Sequence, residues 1–318
     1  MKTTFVYGLE NFTKLSARSA VVTLGTFDGI HRGHQEIFRR VREVAQSDGL
    51  TPVLITFDPH PRTVVTPSNV PMLLTTIEEK RIFVPCFFEG TVLVIKFDDS
   101  IRNMSADQFV RQVLVETVGV KRLIVGYDHG PGKDRGGNTE TLERLGQELG
   151  FGLEVVKPVI WNDAPISSTR IRQALAHGRY DAAVGQLGHD YAISGIIERG
   201  IGMGKKLGYP TANVGYRPGK LLPPEGVYAC WAKVSGDERP GMMFVGQNHF
   251  NPVARLTVEV NLFDFDRDIY GEEMVVYPTD YVRANRRFAS SEALVAQIEQ
   301  DKKKVLDILE KQGERTCR

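Results

Sequence analysis

Residues 21–38 read VVTLGTFDGIHRGHQEIF. The apolar, β-branched run up to Leu24 passes through a turn punctuated by Gly25, Gly29 and Gly33 and becomes helical in pattern near His31. A strand that feeds a helix through glycines leaves amides of the turn and of the first helical turn directed outward, which favours an anion. His31 and His34 are three apart, so a helix starting near His31 puts both imidazoles on one face beside those amides. A triphosphate fits such a place. A tight turn carrying two ordinary polar histidines fits the same letters, and a metal site is the weakest reading, because no adjacent Cys, Asp or Glu cluster completes a coordination set.

Outward from this junction, short apolar runs alternate with helical segments: HQEIFRRVREVAQ, PVLITF, TVLVIKF, ADQFVRQVLVETV, RLIVGY, TLERLGQELG and EVVKPVI. That alternation predicts βαβ crossovers and a parallel sheet, an α/β fold. Such sheets bind ligands beyond the carboxyl ends of their strands, which directs attention to Gly25–His34. After IRQALAHGRYDAAVGQLG the pattern changes to turn-punctuated strands without intervening helices, among them YAISGIIE, GVYACWAKV, GMMFVG, RLTVEVNLFDF and EEMVVYPT. This predicts a compact antiparallel β-barrel or sandwich and a boundary near residues 181–190. Ser290–Lys311 carries Leu294, Ile298, Val305, Ile308 and Leu309 at helical spacing among charges, an amphipathic helix expected to pack on the barrel.

A length of 318 residues allows two such cores, and 42% hydrophobic with 25% charged residues is an ordinary globular composition. Forty basic against thirty-nine acidic residues give a net charge of +1, so no whole-molecule attraction draws the chain to nucleic acid or anionic lipid. Phosphate chemistry has to be local. The amino terminus lacks the apolar core of a signal peptide and no stretch has the length of a membrane span, so a cytoplasmic protein is expected. Cys86, Cys230 and Cys317 lack the spacing of a zinc site or disulfide framework and are expected as reduced thiols.

In the second half, IERGIGMGKKLGYPTAN opens with Gly200, Gly202 and Gly204, which permit close backbone approach, and with Lys205 and Lys206. It is not a P-loop, since Lys206 stands where that motif has Ser or Thr; a plain glycine hairpin fits equally. In RLTVEVNLFDF, alternation puts Leu256, Val258, Val260 and Leu262 on one face and Thr257, Glu259 and Asn261 on the other. Glu259 is then either a solvent-facing carboxylate or one set in a polar strip for use as a base.

GTFDGIHRGH resembles the Gly-Phe-Asp-Gly plus His-x-Gly-His segment of the bacterial bifunctional riboflavin kinase/FAD synthetases, and the resemblance extends from about Val21 to Leu309. TFDPHPR at Thr56–Arg62, LTT at Leu74–Thr76, ISSTRIR at Ile166–Arg172 and the Pro-Thr-Ala-Asn motif at Pro210–Asn213 match the family in order. The resemblance implies a Rossmann-like nucleotidyltransferase domain, residues 1–184, that adenylylates FMN to FAD with release of pyrophosphate. It implies a riboflavin kinase barrel with a C-terminal helix, residues 185–318, that phosphorylates riboflavin to FMN with ATP. By this likeness His31 and His34 hold the ATP phosphates, and Gly25, Phe27, Asp28, Gly33 and Asp128 bind nucleotide or flavin. Ser168, Thr169 and Arg172 close over the nucleotide, although SSTRIR also reads as an ordinary capped helix start. In the barrel, Gly202, Gly204 and Lys205 line the ATP site, Thr211 and Asn213 hold Mg²⁺, and Glu259 is the general base.

The chain departs from the family pattern at three places. Gly130 and Pro131 stand where Arg and Phe are common; Gln247, Asn248 and His249 replace an Arg-Pro-Thr turn; and Asn261 replaces a frequent His. RRFASSEALVAQI resembles the family's terminal segment, in which a Phe and the following helix cover the flavin, and an ordinary packing role for Phe288 fits equally. An adenylyltransferase whose barrel binds flavin with little or no kinase activity is the alternative that the altered 246–252 loop suggests. Either way the expected partners are small molecules, riboflavin, FMN and ATP, with no nucleic acid and no membrane.

Overall fold

The computed structural model describes residues 2–14, 19–127, 139–200, 202–247 and 256–311. Asp128, Gly130, Pro131, Asn248, His249 and Cys317 lie outside the described residues. By its contacts the chain divides into two compact units, Met1–Pro71 with Lys80–Ser167, and Met72–Glu79 with Ser168–Arg318.

The first unit is built on a six-stranded sheet of β1 (Thr4–Tyr7), β2 (Ala20–Leu24), β3 (Thr51–Asp58), β4 (Thr91–Lys96), β5 (Val120–Gly126) and β6 (Gly152–Val156). Their order is β1-β4-β3-β2-β5-β6 and every pairing is parallel, as the alternation of strands and helices predicts. β2 is buried along all five residues, the pattern of a central strand covered on both faces. It is also where the order reverses: the chain leaves β2 for β3 on one side and later returns to β5 on the other. Ligands of open α/β sheets collect at such a point, beyond the strand's carboxyl end. Helix α1 (Arg32–Asp48) begins there, covers the sheet with Ile37, Phe38, Val41, Val44 and Ala45, and stops at Gly49, whose φ of 65° only glycine adopts without strain.

In the second unit, β7 (Ile193–Glu198), β8 (Ala212–Tyr216), β9 (Gly226–Val234), β10 (Asp237–Gly246), β11 (Thr257–Leu262) and β12 (Glu273–Arg283) close in the order β8-β11-β10-β9-β12-β7. All six pairings are antiparallel, so of the two expected forms the unit is the barrel. The C-terminal helix, Ser291–Glu310, is capped by Ser290 and buries Val305 and Leu309 against Val227, Ala229, Met242, Phe263 and Val282 on the barrel's outer face. Leu294, Ile298 and Ile308 are half-buried in the same stripe. One buried position in that stripe is a carboxylate: Asp301 accepts from Arg283 Nε at 2.8 Å and from Gln297 at 2.7 Å, so a charge pair fastens the middle of the helix.

Residues Met72–Glu79 run as a strap along the barrel unit. The amide of Leu73 donates to Gly219 and that of Leu221 donates to Leu73. Helix α2 (Ile77–Phe87) starts at its end, with Thr76 and Glu79 capping each other. Glu79 and Lys220 form an ion pair of 2.5 Å in which both side chains are fully buried. Its remaining valences are met: Glu79 accepts from the amides of Thr76 and Ser194, while Lys220 donates to the Leu74 carbonyl and lies 4.2 Å over the Tyr191 ring. Burial pushes the Glu79 carboxyl upward from its ordinary range, and Lys220 with the two amides pulls it back.

Cys230 is a buried free thiol, as expected. Among the described residues no helix is long and apolar enough to cross a membrane.

Candidate functional site

Between β2 and α1 the backbone enters the left-handed region at Phe27 (φ 47°), Gly29 (92°) and Ile30 (44°). For Phe27 and Ile30 that conformation costs about 1–3 kcal/mol each and persists only where neighbours over-determine it. Here they do. Ile30 is fully buried, and the Phe27 ring is enclosed edge-on between His34, at 5.2 Å, and Phe38, at 5.1 Å. The glycines leave room for these rings: a methyl group on Gly25 would stand 3.1 Å from the Phe27 ring, and one on Gly33 would stand 3.2 Å from the His31 ring. Asp28 is buried within the same turn.

His31 is the N-cap of α1 and His34 lies in its first turn, so the spacing does bring the two imidazoles together. Their rings stack at 3.6 Å and 17°, and His31 Nδ1 accepts the His34 amide at 3.4 Å. His34 is half-buried as a residue, yet its Nδ1 is enclosed and has no hydrogen-bond partner. A buried polar atom left unpaired inside a polar cluster points to a ligand that completes it. Burial, the His31 ring and the Lys80 ammonium, in that order, hold His34 well below the usual imidazole range. His34 is therefore neutral at pH 7 and offers directed hydrogen bonding instead of charge.

Two residues outside the motif reach this turn. Lys80 Nζ donates to the Thr26 carbonyl at 2.6 Å and to Thr56 Oγ1 at 3.2 Å, and Thr56 Oγ1 donates to the same carbonyl at 3.2 Å. Nothing in the sequence signals Lys80, which lies fifty-four positions along the chain from Thr26 in an ordinary charged helix start. Ser168, Thr169 and Arg172 open the helix Ser168–Ala176 in the second unit, where Arg172 Nε donates to the Met72 carbonyl at 2.7 Å.

The barrel's polar cluster is assembled by strand register. Asn213 on β8 lies directly opposite Glu259 on β11 and opposite Glu198 on β7, so the three share one face. Thr211 Oγ1 donates to Glu259 Oε2 at 3.2 Å. Phe244, opposite Glu259 on β10, continues that face toward the apolar strip under the C-terminal helix. Burial raises the Glu259 carboxyl above its ordinary range, with the Thr211 hydroxyl opposing. The alternation read along RLTVEVNLFDF holds: Val258, Val260 and Leu262 are buried, and Thr257 and Glu259 are partly exposed on the other face. Asn261 shares that face but is buried, because its amide donates to the Pro210 carbonyl at 2.8 Å and ties down the Pro-Thr-Ala-Asn loop. The glycines before the loop permit close approach. A methyl group on Gly204 would stand 2.3 Å from the Tyr209 carbonyl, and one on Gly200 would stand 2.3 Å from the Asn213 amide nitrogen. Gly202 has a φ of 70°, and Lys205 is exposed on the short helix Met203–Lys206.

Residues 13–170 match the family model of FAD synthetase, and residues 187–309 match that of riboflavin kinase. A bifunctional riboflavin kinase/FMN adenylyltransferase of Pseudomonas fluorescens is 35% identical over 93% of this chain and 94% of its own. The chain belongs to that bifunctional family. A second member, from Bacillus subtilis, is 32% identical over 96% of this chain and 98% of its own. The crystal structure of a Streptococcus pneumoniae chain described as a macrolide-efflux protein covers 96% of this chain and 99% of its own at a TM-score of 0.82 and 29% identity, which shows the same fold. This bifunctional enzyme is thus a riboflavin kinase and an FMN adenylyltransferase, using ATP to make FMN and then FAD.

Proposed function

We propose that FMN is adenylylated at the turn between β2 and α1, and that riboflavin is phosphorylated at the Thr211–Asn213–Glu259 cluster, with the two roles assigned to residues 1–184 and 185–318. The observation that carries this division is that each cluster lies wholly within one compact unit, the stacked His31 and His34 in the first and the Thr211–Glu259 pair in the second.

At the first site, attack of an FMN phosphate oxygen on the α-phosphorus of ATP needs no covalent enzyme intermediate. It needs positioning, and donors directed at charge as it moves onto the pyrophosphate. His31 and the neutral His34 supply hydrogen bonds there, beside the amides of the turn. Gly25, Phe27, Asp28 and Gly33 shape the turn, and Asp128, Ser168, Thr169 and Arg172 belong to the nucleotide and flavin contacts. At the second site Glu259 takes the proton of the ribityl 5′-hydroxyl as that oxygen attacks the γ-phosphorus. A carboxylate that burial has made more basic suits the task. Gly202, Gly204 and Lys205 receive the ATP phosphates.

The Thr211 hydroxyl and the Asn213 amide, beside one carboxylate, are hard oxygen donors of the kind that suits Mg²⁺ held chiefly by nucleotide phosphates. When bound, the ion would neutralise phosphate charge. Use of ATP and free flavin supports a cytoplasmic enzyme. The near-zero net charge of +1 supports small-molecule partners rather than nucleic acid or a membrane surface.

The test is a time course of riboflavin, FMN and FAD from riboflavin and Mg-ATP. The double variant His31→Ala/His34→Ala should accumulate FMN without FAD. Glu259→Gln should leave riboflavin untouched yet convert added FMN to FAD. Loss of both products in either folded variant would overturn the division.

A further inference from the structure

Thr26 provides the last carbonyl before the chain turns into the left-handed region at Phe27, and two side chains converge on that one oxygen. Thr56 is enough to satisfy it: its hydroxyl lies 3.2 Å away and is itself buried. The second donor is an ammonium, on a lysine only 6% exposed. Burying a lysine to that extent is costly, whereas a neutral donor would hold a carbonyl at far smaller cost. A charge placed there does what a hydroxyl cannot. It lies beside a turn that carries two stacked imidazoles, in low-dielectric surroundings where a fixed charge acts strongly and needs no reorganisation as the reaction proceeds. The imidazole of His34 is neutral at pH 7, so it does not replace that charge.

We propose that Lys80 is a positioning residue for adenylyl transfer: its ammonium clamps the Thr26 carbonyl, which sets the Phe27–His34 turn, and its fixed charge backs the polyphosphate that the turn receives. This rests on the assignment of the ATP phosphates to that turn. Lys80 touches the backbone of the turn and acts through it.

The experiment separates clamp from charge in the full-length protein. Lys80→Gln keeps a donor for the Thr26 carbonyl without the charge, Lys80→Met keeps neither, and Thr56→Val removes the neutral strut but keeps the ammonium. Each is assayed with FMN and Mg-ATP for kcat and for KM toward ATP; riboflavin phosphorylation and the thermal melt of the same preparation report folding. Both Lys80 variants should lose about 10²-fold in kcat/KM for FAD formation, with KM for ATP raised and kinase turnover unchanged. Thr56→Val should stay within about tenfold, the scale of one neutral hydrogen bond. Lys80→Gln within threefold of the parent enzyme, or Thr56→Val as damaging as Lys80→Gln, would reduce Lys80 to a strut and overturn the proposal. Should neither Lys80 variant melt cooperatively, the parent enzyme labelled with ¹⁵N-lysine decides. The Lys80 ammonium resonance should shift on titration with pyrophosphate, and an unmoved resonance rejects the idea. His31→Ala/His34→Ala is run alongside. If it still makes FAD, the site assignment fails and the role of Lys80 with it; if it makes none while Lys80→Gln is normal, only the role of Lys80 fails.

Discussion

At the end of β2 the polar groups are held by backbone: Phe27 and Ile30 are forced into left-handed conformations, and glycines at 25 and 33 let aromatic rings close over the turn. In the barrel the polar groups are held by register, with Asn213 opposite Glu259 and Thr211 bonded to it. The electrostatics differ in the same sense. Burial drives His34 toward its neutral form as a base, and drives Glu259 toward greater basicity as an acid. The first site is therefore suited to charge stabilisation without proton transfer, and the second to proton abstraction. On the proposed assignment each demand corresponds to one half of the reaction sequence, since a phosphate nucleophile is already ionised whereas a ribityl hydroxyl is not.

The largest test of that contrast is Glu259→Gln, expected to lower kinase turnover by about 10²–10⁴-fold while FMN adenylylation is unchanged. The pH dependence sharpens it. Only ionised Glu259 accepts a proton, and its pKa is raised, so kinase kcat/KM should fall on acidification at a pH above the ordinary carboxylate range. His34 is held below the usual imidazole range, so adenylylation should show no limb from His34 between about pH 6.5 and 8. A kinase profile flat down to the ordinary carboxylate range would break the comparison.

Two buried lysines extend it to stability. Lys220 is matched by the fully buried Glu79, whereas the Lys80 ammonium is directed at a turn carbonyl. Lys220→Met strands a buried carboxylate and should cost about 3–5 kcal/mol, measured by calorimetry, with both activities per folded molecule retained. The folded-state pKa of Glu79 then rises further above its unfolded value. The deficit is therefore absent below the unfolded pKa, grows as pH climbs through the folded one, and is largest at neutral pH. Lys220→Met/Glu79→Leu should recover most of the loss. An activity defect without a stability defect would mean that the strap serves catalysis and not packing.

Both site motifs were legible because each is local: a strand, a glycine turn and a helix start in eighteen letters, and period-two alternation along one strand. The parallel sheet and the C-terminal helix were legible for the same reason. What escaped the sequence depends on pairing between distant segments. Lys80 reaches Thr26 across fifty-four positions, and Glu79 reaches Lys220 across 141, yet neither interrupts the charge pattern of its own helix or loop. Closure of the barrel requires β7 to pair with both β8 and β12, and strand periodicity carries no record of partners. Asp301 reads as a break in an apolar stripe until Arg283 is seen beside it.

Asn261 gives the smallest effect and the finest test of a site set by register. On β11 it is two residues from Glu259 and shares its face, but its amide is spent on the Pro210 carbonyl, directly before Thr211. If that bond is what holds Thr211 against the base, Asn261→Ala should cost about 0.5–1.5 kcal/mol in stability, and should raise the kinase KM for ATP severalfold with kcat little changed. FMN adenylylation should be untouched. Because Glu259 keeps its own position by pairing with Phe244 and Asn213 on the neighbouring strands, losing the loop anchor displaces the phosphate-binding side of the site and not the base. A fall in kcat at constant KM would instead mean that the loop positions Glu259, and that register alone is not enough to place it.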